Sequence, residues 1–196
     1  LSLLWLWAWL AFGPGARQAA ARVPVLGLPE VQEEQPAFDR FQTAKGLTRV
    51  GVAALRINFR GVGMSAGTFD AGPGEQEDFR AALTFAEQRF PDLPVWAVGM
   101  SFGSWIAASV GAVDPRVSLL LLVAPAVDRY DYSVVATAGK PTFIVHGEDD
   151  ELISVAAVRR FYATLAEPKE LVQIEDASHL FEGRTTLVGD AVKGLL

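Results

Sequence analysis

The sequence predicts an α/β fold, in which a mostly parallel sheet carries helices on both faces. From about residue 38 onward, helical and strand patterns alternate along the chain. The strand-like runs are short and apolar, as in strands that are buried on both faces. Glycine and proline fall between the predicted elements and not inside them.

The predicted elements follow one another in order from about residue 38. Apolar residues first recur at near-helical spacing over residues 38–50, and a strand is predicted at 52–59. A helix is predicted over residues 75–90, because acidic residues favour its N-terminus, apolar residues form a stripe and Pro91 ends it. The remaining predictions are strands at 95–98, 117–123, 142–146 and 171–174, with helices at 102–112 and 154–165 and a closing helix from about residue 186.

Composition limits the function classes. The 196 residues are 51% hydrophobic and 20% charged, which is typical of one globular domain. The net charge is −6 and no Lys/Arg cluster is present, so we expect no nucleic-acid partner. No Cys occurs, which excludes disulfides, thiolate catalysis and Cys-ligated metals and fits a cytoplasmic protein.

Residues 1–37 do not follow the alternating pattern. Leu1–Phe12 is nearly all apolar and holds three of the five Trp, yet it is too short to span a bilayer as a helix. It lacks a basic region in front, although Ala19–Ala21 is similar to a signal cleavage site. A targeting or membrane-surface role, a buried segment and a stretch foreign to the fold all stay open. We predict an atypical, linker-like segment at 1–37 and the folded domain at 38–196.

The most informative motif is Gly99-Met100-Ser101-Phe102-Gly103. It lies between a run of strand formers and a helical stretch at 105–110. In such a turn the glycines permit a sharp change of direction, so that the serine hydroxyl projects from the edge of the sheet. The motif therefore predicts Ser101 as a nucleophile, with a purely structural turn as the alternative.

A serine nucleophile needs a base, and a carboxylate that holds the base in the correct tautomer. The chain has two histidines. His179 lies in a loop after the last predicted strand, where the base of a Gly-x-Ser-x-Gly hydrolase is expected. His146 ends a strand, and we interpret it as a partly buried structural residue.

The carboxylate is expected in the turn after the strand at 142–146, because the chain order in such hydrolases is Ser, then Asp or Glu, then His. Four acidic residues, Glu148–Glu151, compete for this role. The same run is compatible with a cation site, but no second acidic cluster accompanies it, so a solvated turn is favoured.

A second glycine motif, Gly61-Val62-Gly63-Met64-Ser65-Ala66, follows a predicted strand. It satisfies the pattern of a dinucleotide-binding turn. Such a turn opens directly into a helix, whereas here glycines and a proline follow at 67–74. We therefore expect no nucleotide and no other cofactor.

Residues 38–196 resemble a bacterial group of small, lidless α/β-hydrolases of the esterase type. The motifs that carry this resemblance are Leu55–Ser65, Gly99–Gly103, Val123–Pro125 with Asp128–Tyr132, His146-Gly147 with Asp150, and Ser178-His179. The matching part is about four-fifths of the chain.

The resemblance implies roles for particular residues. Residues 146–153 resemble the pattern His-Gly-x-x-Asp-x-x-Val, which implies Asp150 as the acid, with Asp149 as the alternative. The amide of Phe102 is implied as one oxyanion donor. Members of the group also have further N-terminal strands and a loop that supplies a second donor. Residues 1–39 contain no counterpart, so we expect those strands to be absent.

These observations predict a hydrolase that cleaves an ester or related acyl bond of a small molecule through an acyl-enzyme. Thioesters and peptides are compatible with the same machinery. The alternative is a non-catalytic binding or scaffold protein with a degraded hydrolase fold. Loops 68–74 and 127–132 are expected to shape the pocket, with Tyr130 and Tyr132 as candidate lining residues.

Overall fold

The computed structural model describes residues 7–12 as backbone, and Leu47 and residues 51–195 with their side chains. The elements in this part of the chain are β1 (Trp7–Phe12), β2 (Ala53–Asn58), α1 (Pro73–Arg89), β3 (Val95–Met100), α2 (Phe102–Gly111), β4 (Val117–Val123), α3 (Ser133–Ala138), β5 (Thr142–Gly147), α4 (Val155–Thr164), β6 (Lys169–Ile174) and α5 (Thr185–Leu195).

The six strands form one sheet in the order β2-β1-β3-β4-β5-β6. Strands β3 to β6 are parallel to one another, whereas β1 is antiparallel to both of its neighbours. A helix separates each consecutive pair of the parallel strands in sequence, because a parallel pair needs a crossover connection. The predicted mostly parallel α/β fold is confirmed.

Both faces of the sheet are covered, and β4 shows this within one strand. Leu120 and Leu122 belong to a buried cluster that contains side chains of α1, α2, α3 and α4. Leu119, Leu121 and Val123 belong to a second cluster, which contains side chains of α5 and Leu47. Successive strand residues point to opposite faces, so an uninterrupted apolar run is what a doubly covered strand requires.

The predicted element boundaries agree closely with the structure, but two short elements, α3 and β1, were not predicted. Strand β4 has the predicted bounds, and α4 lies between its capping residues Ser154 and Leu165. Helix α3 was not predicted, since its six residues are too few for a periodic pattern. Gly139 ends it in the left-handed region, with φ at 64°.

The sequence also did not indicate β1, which pairs with β2 on one side and β3 on the other. An unbroken apolar run carries no period, so pattern alone does not distinguish a buried strand from other apolar segments. Residues 13–46 lie outside the described part of the chain, as does most of the helix predicted over 38–50. Leu47 itself is helical and buried. The domain boundary near residue 38 and the linker-like segment therefore stay predictions.

The parallel strands place four loops at one edge of the sheet. Ser101 follows β3, Ala124 follows β4, Asp150 comes shortly after β5, and His179 lies in the loop after β6. Because the carboxyl ends of parallel strands meet at the same edge, residues distant in sequence converge there.

Candidate active site

Ser101 occupies the single-residue turn between β3 and α2. Its backbone has φ 50° and ψ −120°, a strained conformation for a residue with a side chain. The Ser101 amide donates to the carbonyl of Val123 at 3.0 Å, and the Ser104 amide donates to the carbonyl of Ser101 at 3.0 Å. These bonds hold the turn, so that the hydroxyl projects from the sheet edge as the motif predicts.

Gly99 makes this turn possible through close backbone packing. A Cβ atom at Gly99 would collide with the carbonyl group of Gly103 and would lie 2.6 Å from the amide nitrogen of Ser104. The first glycine of the motif is therefore needed because the strand and the first turn of α2 approach each other closely.

His179 reaches Ser101 from the loop after β6. Its Nε2 lies 2.9 Å from Ser101 Oγ, and its Nδ1 lies 2.7 Å from Asp150 Oδ2. The His179 side chain is buried, and its backbone amide donates to a carboxylate oxygen of Glu151 at 3.0 Å. The loop is thus tied to the turn that carries Asp150.

Asp150 is buried and accepts hydrogen bonds on both carboxylate oxygens. The amides of Leu152 and Ile153 donate to Oδ1 at 2.9 and 2.8 Å, while Oδ2 faces His179. Burial acts to raise the pKa of Asp150, but the hydrogen bonds and the His179 ring outweigh it and hold the pKa below the ordinary value. The group is therefore an ionised acceptor at neutral pH.

The other acidic residues of the turn have separate surroundings. Asp149 is exposed, and its amide donates to the carbonyl of Ala177 at 3.0 Å. Glu148 accepts from the side chain of Gln173 at 3.0 Å, and Glu151 accepts from the His179 amide. Asp150, and not Asp149, is the residue brought to His179, and the four carboxylates do not converge on one point.

His146 is more deeply buried than the sequence suggested, with 0% of its surface exposed. Its Nε2 lies 3.1 Å from the carbonyl of Ile153. Its Nδ1 has no hydrogen-bond partner among the described residues and faces Asp150 Oδ2 at 3.7 Å. The sequence analysis did not predict this contact, although only three residues separate His146 from Asp150 in the chain.

Known structures share this fold. An alpha-beta serine hydrolase homologue from Coxiella burnetii superposes with a TM-score of 0.74 at 35% identity, covering 80% of this chain and 74% of that one. An α/β serine hydrolase without a lid from Xanthomonas campestris has a TM-score of 0.73 at 29% identity, covering 84% and 75%.

Sequence comparisons agree with the structural ones. An uncharacterized protein of Rickettsia prowazekii is 33% identical over 165 residues, which are 80% of this chain and 69% of that protein. A family model described as serine aminopeptidase, S33, matches residues 35–140, just over half of the chain. The chain belongs to this family of α/β-hydrolases. It is a hydrolase, and the resemblance to lidless bacterial members is confirmed.

In this α/β-hydrolase, Tyr132 connects the loop after β4 to the start of α2 through hydrogen bonds of its hydroxyl. Its hydroxyl lies 2.7 Å from Ser104 Oγ and accepts from the amide of Ala126 at 3.2 Å, while Ser104 Oγ donates to the carbonyl of Ser101 at 2.6 Å. Burial raises the pKa of Tyr132, so its hydroxyl keeps its proton. Tyr132 is therefore a buried link between the loop after β4 and the serine turn. It lines an adjoining groove and not the cleft beside Ser101.

A cleft with a cavity volume of about 60 Å³ opens beside the Ser101 hydroxyl. Its lining residues are Ser101, Phe102, Ala126, Arg129, Tyr130, Leu152, Ile153 and His179. Tyr130 is confirmed as a lining residue, and its ring stacks on Trp105 with centroids 4.5 Å apart. The α/β-hydrolase site is thus narrow and mostly apolar.

Other candidate sites find no support in the described residues. The glycine turn at 61–66 does not open into a helix, because the next helix of the described chain begins only at Pro73. In the same part of the chain, no group of three or more His, Cys, Asp and Glu residues is arranged to hold a metal ion. No helix there is both long and apolar enough to cross a membrane.

Proposed function

We propose that this hydrolase cleaves an ester or related acyl bond of a small molecule through an acyl-enzyme. In this proposal Ser101 is the nucleophile, His179 the general base and Asp150 the acid that orients the base. The backbone N–H of Phe102 is one oxyanion donor.

The observation that carries the proposal is the chain of two hydrogen bonds from Ser101 through His179 to Asp150. An ionised carboxylate only accepts, so Nδ1 of His179 must donate to Asp150 at 2.7 Å. Neutral imidazole then carries its lone pair on Nε2, which faces the Ser101 hydroxyl at 2.9 Å. The tautomer that accepts the serine proton is therefore the one that Asp150 stabilises.

The reaction follows from this arrangement. Ser101 Oγ attacks the acyl carbon while its proton passes to His179 Nε2, and the bond to the leaving group breaks as His179 returns that proton to it. Water then attacks the acyl-enzyme with the same base, which releases the acid and restores the serine.

The oxyanion assignment rests on the start of α2. Phe102 is its first residue, and the first amides of a helix have no acceptor within the helix. The amide next to the nucleophile is also where the helix dipole is positive, which favours developing negative charge. In related hydrolases a loop near the N-terminus supplies a second oxyanion donor. The corresponding residues 1–39 lie mostly outside the described part of this chain, so the second donor is not assigned.

Ester cleavage is preferred to the aminopeptidase activity that the family description names. An aminopeptidase must bind the ammonium group of its substrate, which calls for a carboxylate in the cleft. No carboxylate is among the described residues that line the cleft. Arg129 is among them, and its positive charge repels an ammonium group.

A fluorophosphonate probe tests the proposal, because only an activated serine reacts with it quickly. We expect rapid labelling of the wild-type protein, and loss of labelling and of ester hydrolysis in Ser101→Ala. Ser118→Ala is the matched control, since Ser118 lies near the start of β4, at the opposite edge of the sheet. Unchanged ester hydrolysis by Ser101→Ala would overturn the proposal.

A further inference from the structure

The cleft beside Ser101 has an unequal distribution of charge. Apart from Ser101 and His179, its lining consists of apolar side chains, the ring of Tyr130 and the guanidinium-bearing Arg129. No carboxylate is among these lining residues. Any charged group of a bound molecule would therefore meet a positive side chain.

Arg129 also differs from most arginines of residues 51–195, because its side chain has no hydrogen-bond or ion-pair partner within that range. Arg60 pairs with Asp78 at 2.8 Å, Arg116 with Asp114 at 2.6 Å, and Arg184 with Asp176 at 3.1 Å. Neither Arg129 nor Arg160 has a side-chain hydrogen bond or ion pair among the residues that the structure describes.

The two arginines without a side-chain partner among the described residues have different surroundings. Arg160 lines an adjoining groove together with two carboxylates, Asp128 and Asp131, whose charges oppose its own. Arg129 lies in the cleft with Ser101, where no lining residue offsets it. In a chain of net charge −6, Arg129 is therefore a local positive site beside the proposed nucleophile.

We propose that Arg129 binds the carboxylate of the substrate, so that the preferred substrates are esters whose acyl chain ends in a carboxylate. This inference rests on the proposed function of Ser101. A guanidinium group matches a carboxylate with two parallel hydrogen bonds, and the apolar side chains of Leu152, Ile153 and Phe102 suit the hydrocarbon chain between the two ends.

Three methyl esters of equal chain length test the charge preference. Monomethyl adipate, methyl hexanoate and methyl 6-aminohexanoate end in a negative, a neutral and a positive group. The measured quantity is the ratio of kcat/KM for the adipate ester to kcat/KM for the hexanoate ester, obtained by pH-stat titration. We expect Arg129→Gln to lower this ratio about tenfold, the effect of a partly exposed charge-assisted pair, and Arg129→Glu to lower it further and to favour the amino ester.

Arg160→Gln is the matched control, because it removes an arginine of the neighbouring groove that also has no side-chain partner among residues 51–195. The ratio should stay within about twofold of the wild-type value in this variant, since Arg160 lies outside the cleft and shares its groove with Asp128 and Asp131. High salt should reduce the wild-type ratio by screening the pair. An equal change of the ratio in both variants, or no change in Arg129→Gln, would overturn the inference.

A binding measurement separates this inference from the proposed function. Trp105 stacks on Tyr130 at the cleft, so tryptophan fluorescence can follow a titration with adipate, without turnover. Saturable binding that is lost in Arg129→Gln and kept in Arg160→Gln supports the anion site even if Ser101 proves inactive. Ester turnover that depends on Ser101 but shows no Arg129-dependent ratio keeps the proposed function and rejects the anion site. Absence of both adipate binding and a ratio change rejects it as well.

Discussion

Nδ1 of His146 lies 3.7 Å from Oδ2 of Asp150, the same carboxylate oxygen that lies 2.7 Å from Nδ1 of His179. The carbonyl of Ile153 accepts only, so Nε2 of His146 carries the hydrogen and Nδ1 presents a lone pair to the carboxylate. The two histidines thus face one acid from two sides with different donor patterns. Only His179 can donate to Asp150 in the neutral state.

This difference predicts opposite consequences for the two alanine variants. His179→Ala removes the proposed base, and we expect kcat to fall by several orders of magnitude. His146→Ala leaves a cavity and removes the partner of the Ile153 carbonyl, so we expect mainly a lower free energy of unfolding, by about 2–4 kcal/mol. Steady-state kinetics and urea unfolding of both purified variants provide the comparison. The reverse ranking would assign the base to His146.

The pH dependence of stability follows from the same pair of groups. Burial lowers the pKa of His146, and the Asp150 carboxylate offsets this only in part. The unfolded chain therefore binds a proton on this histidine at a higher pH than the folded chain, so stability decreases as the pH falls below the ordinary value of 6.5. The lowered pKa of Asp150 adds a second loss at lower pH, beginning below its ordinary value of 3.8.

Urea unfolding over a series of pH values measures both steps. In His146→Phe the loss of unfolding free energy below pH 6.5 should be smaller, because the variant has no group that titrates at that position. Identical slopes of stability against pH for wild type and variant in the region below 6.5 would contradict the assignment.

The close packing at Gly99 predicts that Gly99→Ala is strongly unfavourable. The added Cβ would collide with backbone of Gly103, which has no rotamer through which to move away. We expect a loss of about 1–3 kcal/mol in the free energy of unfolding and slower fluorophosphonate labelling, because the turn at Ser101 must open. Gly194→Ala is the matched control: nothing lies within 4 Å of its added Cβ, and in helix α5 alanine is favoured. Equal stability of the two variants would show that the turn tolerates a side chain.

Tyr132→Phe tests the buried link under the serine turn. Without the hydroxyl, the amide of Ala126 loses its acceptor in a buried place, and we expect a loss of about 1–3 kcal/mol. Tyr162→Phe serves as the control, because its hydroxyl makes only a long 3.5 Å bond to the carbonyl of Lys169 at a partly exposed position. Thermal or urea unfolding measures both, and an equal small effect would mean that Tyr132 contributes through its ring alone.

The position of β1 predicts the effect of shortening the chain. Its backbone pairs with β2 and β3, so deletion of residues 1–12 leaves the facing edges of both strands unpaired. We expect a lower melting temperature and aggregation, measured by light scattering. Deletion of residues 1–6 alone preserves the strand and is the control. A monodisperse, equally stable protein after the longer deletion would support the prediction that the segment is foreign to the fold.

The sequence by itself determined the alternation of strands and helices, because each element carries its own local signal. The apolar run of β4 and the proline after α1 are examples, and the strand-to-helix context of Ser101 is another. The approximate places of the candidate base and acid followed in the same way, from chain order and turn position. Helix α3 and strand β1 were not predicted, since a six-residue helix and an unbroken apolar run have no diagnostic period.

Tertiary structure alone decided which side chains meet. The family resemblance implied Asp150 and left Asp149 as the alternative, but which of the two carboxylates contacts His179 depends on which side of the tight turn faces the loop after β6. The burial of His146 against Asp150 and the hydroxyl link of Tyr132 to Ser104 likewise depend on how loops orient side chains, and so does the position of Arg129 in the cleft. Local patterns do not contain these contacts, because they arise only when parallel strands bring their carboxyl ends to one edge of the sheet.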